Sequence, residues 1–216
     1  MAARIDRVIT SGIFSLDGGD FEVDNNVWIV GDDNEVIVID AAHDHEPIVQ
    51  GIGDRKLKAI ICTHGHNDHI NAAGALSDET GAPILLHADD EMLWDVEYPH
   101  RRFDDILRDG LKVDVGNHQI DVIHTPGHSP GGCCLHVAGD GVLFSGDTLF
   151  NGGPGATGRS FSSYDVIVES ITKRLFSLPE GTRVNTGHGD STTIGAEVVN
   201  LAAAAAAAAA ADEDER

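Results

Sequence analysis

Cysteine is scarce in this chain. There are three among 216 residues, Cys62, Cys133 and Cys134. An odd trio builds no disulfide framework and suits a reducing, cytoplasmic setting. Cationic side chains are also sparse: 14 Lys and Arg, only four of them Lys, stand against 36 Asp and Glu, for a net charge of −22. Such a field repels nucleic acid and anionic membranes and sets both aside as partners. It equally suits a protein adapted to high salt, whose stability would rise with molar salt. Long apolar runs are missing too. No stretch approaches the length of a bilayer span. The N-terminal residues MAARIDRVITSGIFSLDGG hold no uninterrupted apolar segment of the secretory kind.

What is present is a chain of single-domain length, 41% apolar, with 25 glycines for tight turns and close backbone approaches. Runs rich in Val and Ile, bounded by Gly, Asp or Asn, predict strands at 21–30, 35–41, 58–64, 82–87, 119–125, 132–138, 141–147 and 182–188. Helices are expected near 45–52, 68–80, 88–94, 163–178 and 193–211. In the fourth of these, Val166, Ile167, Ile171, Leu175, Phe176 and Leu178 recur at helical spacing before Pro179 and Gly181. Strands come first, then strands mixed with helices, then strands again. That order predicts α/β architecture with sheets packed on each other and helices outside. The charged segment 95–110 reads as a surface insertion between the halves. Residues 1–201 read as one domain, and 202–216 as a low-complexity tail of ten alanines and an acidic cluster. The alanines extend the last helix, and the acidic end, opposed to the helix dipole, frays it. Trp28, Trp94, Cys133 and Cys134 are expected in the core.

Histidines cluster in an unusual way. Within THGHNDH, His64, His66, Asp68 and His69 fall inside six positions. His128 lies in HTPGHSPGG and His188 in NTGHGDSTT, each in a Gly-rich turn after a strand. Asp147 ends a strand in FSGDTLF. Two adjacent divalent ions need about three to five ligands each and a position for water. His64 and His66, two apart in an extended turn, can point one way. Asp68 and His69, at a helix start, can face a second ion. His128 and His188 can each complete one half, with Asp147 between them. Any one of these histidines alone could be a surface or capping residue. The four segments together point to metal.

These motifs resemble those of the metallo-β-lactamase superfamily over roughly residues 8–200, and most of all those of glyoxalase II-type thioester hydrolases (hydroxyacylglutathione hydrolases). The resemblance implies a four-layer αβ/βα sandwich with a binuclear site in a cleft at one edge of the sheets. It implies that His64, His66 and His128 bind one metal, that Asp68, His69 and His188 bind the other, and that Asp147 bridges, Asp68 and Asp147 serving as the catalytic carboxylates. Asp40, ending the strand VIVID, resembles a residue that steadies the histidine loop, although a strand-end cap is an equal reading. The ions would be two divalent metals, zinc foremost, with iron or manganese also suited. Asp147 stands where the best-known β-lactamases carry Cys, and His66 where flavodiiron oxidoreductases carry Glu. With few residues following His188, the helical domain by which long-form glyoxalase II grips glutathione is not expected here.

The implied reaction is hydrolysis by a metal-bridging hydroxide. With Asp68 committed to metal, no spare general acid stands beside the motifs. A thiol of pKa about 8.5 leaves as thiolate without one, whereas an amide nitrogen does not. The expected substrate is therefore a small-molecule thioester, with lactones or activated esters next. Phe150 and Tyr164 are expected to wall the cleft, and Arg159 to hold an anionic group. The pair Arg101–Arg102 is a weaker anion contact, and His43, His45 and His87 are read as outside the chemistry. Two other functions compete: a persulfide dioxygenase with one iron on His64, His128 and Asp147, and a non-catalytic metal-binding protein.

Overall fold

The computed structural model describes residues 2–214, with side chains described as far as Ala207. Two six-stranded sheets face each other. The first holds β1 (Arg4–Leu16), β2 (Gly19–Gly31), β3 (Glu35–Ile39), β4 (Lys56–Ile61), β5 (Ile84–His87) and β6 (Asp105–Leu107), side by side in chain order. The second takes β7 (Lys112–Val115), β8 (His118–His124), β9 (Cys133–Val137) and β10 (Val142–Gly146). A small hairpin follows, β11 (Leu149–Phe150) and β12 (Gly153–Pro154). Then β13 (Arg183–Thr186) and β14 (Thr192–Thr193) complete the second sheet, in the order β14-β13-β10-β9-β8-β7. Helices α1 (His45–Ile52), α2 (Asn67–Ile70), α3 (Ala73–Thr80) and α4 (Glu91–Glu97) belong to the first half, α5 (Tyr164–Ser170) and α6 (Ile194–Asp214) to the second.

Strand alternation builds the layers. Along β3, Ile37 and Ile39 point between the sheets while Val36 and Val38 point to the first helical layer, where Ile48, Leu76 and Trp94 meet them. Along β9 and β10, Cys133, Leu135 and Phe144 face the other sheet. Cys134 and Leu143 face Ile167, Ile171 and Ile194 of the second helical layer. Strands buried on both faces read as continuous apolar runs, which is why they were legible. The result is the four-layer αβ/βα sandwich of the metallo-β-lactamase fold. Trp28 and Trp94 are core residues, and all three cysteines are buried and unpaired.

Several expectations need correction. Strand β1 is not among the predicted strands: it pairs with β2 over its whole length, yet along it only Thr10 is buried, so no apolar run announces it. The short strand β7 is likewise unannounced. The helix expected at 68–80 is broken at Asn71–Ala72, because the Ala72 N–H is spent on the Ala41 carbonyl (3.1 Å). The helix expected at 88–94 begins as a 3₁₀ turn over Ala88–Asp90. The helix at 163–178 is α-helical only to Ser170 and continues through a π stretch over Ile171–Leu175. Helix α6 runs through the alanine segment and on through the first acidic residues to Asp214, so the fraying expected over the acidic cluster is not seen at Asp212–Asp214; Glu215 and Arg216 lie outside the described residues.

Residues 95–110 do lie mostly at the surface between the two halves, but they are tied into the fold rather than merely inserted. Tyr98 stacks on Trp94 (centroids 4.4 Å apart), and its hydroxyl sits 2.9 Å from the Ile70 and Asn71 carbonyls freed by the helix break. Phe103 meets Trp94 edge-on, and β6 adds a parallel strand beside β5 with Leu107 fully buried. Leu107→Ala should therefore destabilise the fold by about 2–5 kcal/mol in chemical denaturation. A change within about 0.5 kcal/mol, normal for a surface position, would restore the insertion reading.

Candidate metal centre

Strand polarity gathers the motifs. β3 and β4 are parallel, β10 and β13 are parallel, and β8 runs with β10 because each is antiparallel to β9. Asp40 follows β3 and His64 follows β4. His128 follows β8, Asp147 follows β10, and His188 follows β13. The loops after these strands meet at one edge of the two sheets.

The predicted ligand residues converge there. His64, His66 and His128 form one group whose donor atoms lie within 4.8 Å of one another, and Asp68, His69 and His188 form a second. His66 Nδ1 is 3.0 Å from His128 Nε2, and His69 Nε2 is 3.2 Å from His188 Nε2. Asp147 reaches both groups: Oδ1 lies 3.4 Å from His69 Nε2, and Oδ2 lies 3.4 Å from His188 Nε2 and 3.6 Å from His128 Nε2. Asp68 Oδ2 is 3.3 Å from His188 Nε2. His64 Nε2, Asp68 Oδ1 and Asp147 Oδ1 are buried without a hydrogen-bond partner. Leaving such atoms unsatisfied is costly in a protein interior. Here they line a common space, so this donor set fits cations.

The outer ring nitrogens are tied down, which turns the inner lone pairs toward that space. His69 Nδ1 is held by Asp40 Oδ2 (3.0 Å), His128 Nδ1 by the Ala156 carbonyl (2.8 Å) and His188 Nδ1 by the Asp24 carbonyl (2.7 Å). His64 Nδ1 lies 3.1 Å from Thr63 Oγ1, which donates to Asp40 Oδ2 at 2.8 Å; the Thr63 N–H donates to Asp40 Oδ1 at 2.7 Å. Asp40 is thus at a strand end and also braces two histidines. Asp40→Asn should weaken metal binding by about 10–100-fold, read by competition with a chromophoric chelator. Affinity equal to that of the parent would reduce Asp40 to a cap.

Electrostatics divide the two groups. Burial drives His64 well below its ordinary value, and burial with the nearby His128 takes His66 down to about 3, so both are neutral. Burial also opposes charge on His69 and His188, but carboxylates outweigh it. Asp68, Asp147 and Asp40 hold His69 well above its ordinary value, and Asp147 and Asp68 raise His188 to about 10. Burial would raise Asp147; His69 and His188 instead hold it well below the usual carboxylate range.

A cleft of about 250 Å³ opens onto the centre, walled by Phe14, Leu16, Val23 and Phe150, with Arg159 at its margin. The Arg159 guanidinium stacks over Phe21 (4.4 Å) and Phe14 (5.4 Å). Tyr164 does not line the cleft: it is the first residue of α5 and 57% exposed. Arg101 and Arg102 are also absent from it, being paired with Asp78 and with Glu91 and Asp95. His45 faces Glu79. His87 stacks on His124 (4.2 Å, 9°) beside Asp89. In-plane lone pairs of parallel rings run side by side and do not converge on a point. His43 Nε2 meets Asn25 Oδ1 at 2.8 Å.

Two polar residues at the centre are not among the residues that the sequence motifs single out. Asn25, fully buried on β2, donates to Asp68 Oδ2 at 3.2 Å. Asp90, also fully buried, receives bonds from both histidine loops. A polar residue inside an otherwise strand-like run (FEVDNNVWIV) was the one available hint for Asn25.

Known proteins are similar to this chain in sequence and in fold. The family model described as "Metallo-beta-lactamase superfamily" matches residues 21–188. The hydroxyacylglutathione hydrolase GloC of Haemophilus influenzae is 30% identical over 189 residues, 79% of this chain and 87% of that protein. Among solved structures, the B3 metallo-beta-lactamase BLEG-1 superposes with a TM-score of 0.73 at 28% identity, covering 87% of this chain and 95% of that one. TTHA1623, in a di-iron-bound form, gives 0.74 at 29% identity, covering 82% and 93%. No helix among the described residues is long and apolar enough to cross a membrane. With its strand-end His and Asp clusters able to hold metal ions and a family match over most of its length, the chain belongs to the metallo-beta-lactamase superfamily.

Proposed function

We propose that the protein is a binuclear metal-dependent hydrolase of small thioesters, glyoxalase II-like in its chemistry. One observation carries the reading. Among the described residues lining the cleft, every histidine and carboxylate either belongs to one of the two donor clusters or, as Asp147 does, lies between them. The remaining charged group there is the guanidinium of Arg159, a hydrogen-bond donor suited to holding an anion. A leaving group in this cleft departs unprotonated, as a thiolate can and an amide nitrogen cannot.

In this reading His64, His66 and His128 hold one ion, Asp68, His69 and His188 hold the other, and Asp147 lies between. Divalent ions bound there would make hydroxide available at neutral pH and polarise a carbonyl. Nitrogen and oxygen donors without thiolate suit zinc, the ion proposed, and also iron or manganese. The chain does the rest. Asp40 and Thr63 hold the imidazoles in place, Phe14, Leu16, Val23 and Phe150 keep water from the acyl group, and Arg159 meets an anionic group on the substrate. The acidic surface disfavours nucleic acid and anionic membranes as partners and is compatible with a cytoplasmic setting.

The test is metal analysis of the purified protein joined to a panel of thioesters on different carrier thiols, with a lactone, a peptide amide and a β-lactam beside them. Two ions per chain and fastest turnover on a thioester are expected. One iron per chain with oxygen uptake on a persulfide would overturn the reading. So would faster turnover of the β-lactam than of every thioester, or no turnover at all.

A further inference from the structure

Asp90 has no place among the donor clusters, yet it is fully buried in the 3₁₀ turn that precedes α4. Its carboxylate is met from two directions. Oδ2 accepts from the Gly65 N–H at 2.8 Å and from Ser129 Oγ at 2.7 Å, and Oδ1 accepts from the Gly131 N–H at 2.6 Å. Gly65 lies between His64 and His66, and Ser129 follows His128. One carboxylate therefore fastens the loop carrying two members of the three-histidine group to the loop carrying the third.

The packing around it leaves little slack. A Cβ on Gly131 would come within 2.7 Å of the Asp90 Cγ, and one on Gly65 within 3.0 Å of the Asp90 carbonyl oxygen and 2.8 Å of the Leu93 Cβ. Both loops are glycine where they press on this residue. No Lys, Arg or His among the described residues forms an ion pair with Asp90, so its charge rests on these three hydrogen bonds. Charge-assisted bonds of this kind are short and strong. Burying a carboxylate is expensive, and the α4 N-terminus gains no side-chain cap bond from it. The three bonds are what the residue does.

We propose that Asp90 is a positioning residue that sets the spacing of the three-histidine site, His64, His66 and His128, and not that of the second site. This rests on the binuclear reading above. His69 and His188 take their outer bonds from Asp40 and the Asp24 carbonyl, so the second group is braced independently. An Asp90→Asn side chain keeps the shape but turns an NH₂ toward one of three donors, which forces the loops apart.

The experiment titrates the metal-free full chain with Co(II), following the ligand-field spectrum and resolving the two stepwise affinities by chelator competition, with thermal unfolding of the metal-free proteins alongside. Asp90→Asn should weaken the three-histidine site by about 10–100-fold and change its Co(II) spectrum, with the second affinity within about threefold of the parent. Ser129→Ala keeps the carboxylate and both backbone bonds; it should weaken the same site in the same direction by a smaller factor, and it serves if Asp90→Asn does not fold. Equal losses at both sites, tracking a loss of folding stability, would overturn the proposal. A three-histidine site unchanged in either folded variant would do the same. If the parent binds two ions, these failures count against Asp90 alone; if the parent binds none, the binuclear reading falls with it.

Discussion

Asp147→Ala should strip the protein of at least one of two metal ions and lower thioester turnover by more than the roughly 10²–10³-fold that loss of a single electrostatic stabiliser costs. The reason is position. Asp147 has one oxygen 3.4 Å from His69 and the other within 3.4–3.6 Å of His188 and His128, so it is the carboxylate shared by both groups. His69 and His188 keep it ionised despite burial, and its Oδ1 has no hydrogen-bond partner of its own. Removing it takes a negative charge from between two cations that would then repel each other without a bridge. Asp147→Asn, which keeps the volume and loses the charge, should behave alike. Metal content by plasma emission and turnover on the best thioester decide it. A full metal complement with rates near those of the parent would refute the bridging role.

Gly187→Ala should have nearly as large an effect for a purely steric reason. An alanine methyl there would sit 2.2 Å from Asp147 Oδ1 and 2.8 Å from His69 Cε1, both members of the centre. The backbone cannot withdraw, because the Gly187 N–H is bonded to the Gly146 carbonyl (2.9 Å) and its carbonyl to the Asn26 N–H (2.7 Å). The strain therefore falls on the Asp147 carboxylate, which must swing away from at least one group. Occupancy and turnover should fall together, while unfolding of the metal-free protein changes by no more than about 1–3 kcal/mol, the usual cost of overpacking. Parent-like metal content in Gly187→Ala would show that the site has room that its geometry denies.

Much of the layer architecture was legible because buried strands announce themselves. EVIVID and GVLFSGD are apolar on both faces, since each lies between a helix layer and the other sheet. Strand β1 was not legible for the converse reason: RIDRVITSGIFSL lies mostly toward solvent, and its pairing with β2 is the evidence that it is a strand. The break between α2 and α3 was hidden as well. It depends on the Ala41 carbonyl claiming the Ala72 N–H and on Tyr98 answering the carbonyls left free. Segment 95–110 looked like an insertion because its arginines and aspartates are conspicuous. Tyr98, Phe103 and Leu107, which anchor it, are spaced too irregularly to form a pattern.

The candidate site divides along the same line. The sequence by itself determined the donor types and their placement at strand ends: His64, His66, Asp68 and His69 lie within one turn, where spacing of a few residues dictates direction. It also determined the supply of glycine beside them and the lack of a spare acid next to the motifs. Only the tertiary structure decided which residues hold those donors and which wall the cleft. Asp90 reaches Gly65 across 25 positions and Gly131 across 41, and Asn25 reaches Asp68 across 43. Tyr164 turns outward although it is fourteen residues past Phe150, which turns in. Local spacing constrains neighbours along the chain, whereas bracing and lining depend on how two sheets pack, which no short stretch of sequence encodes.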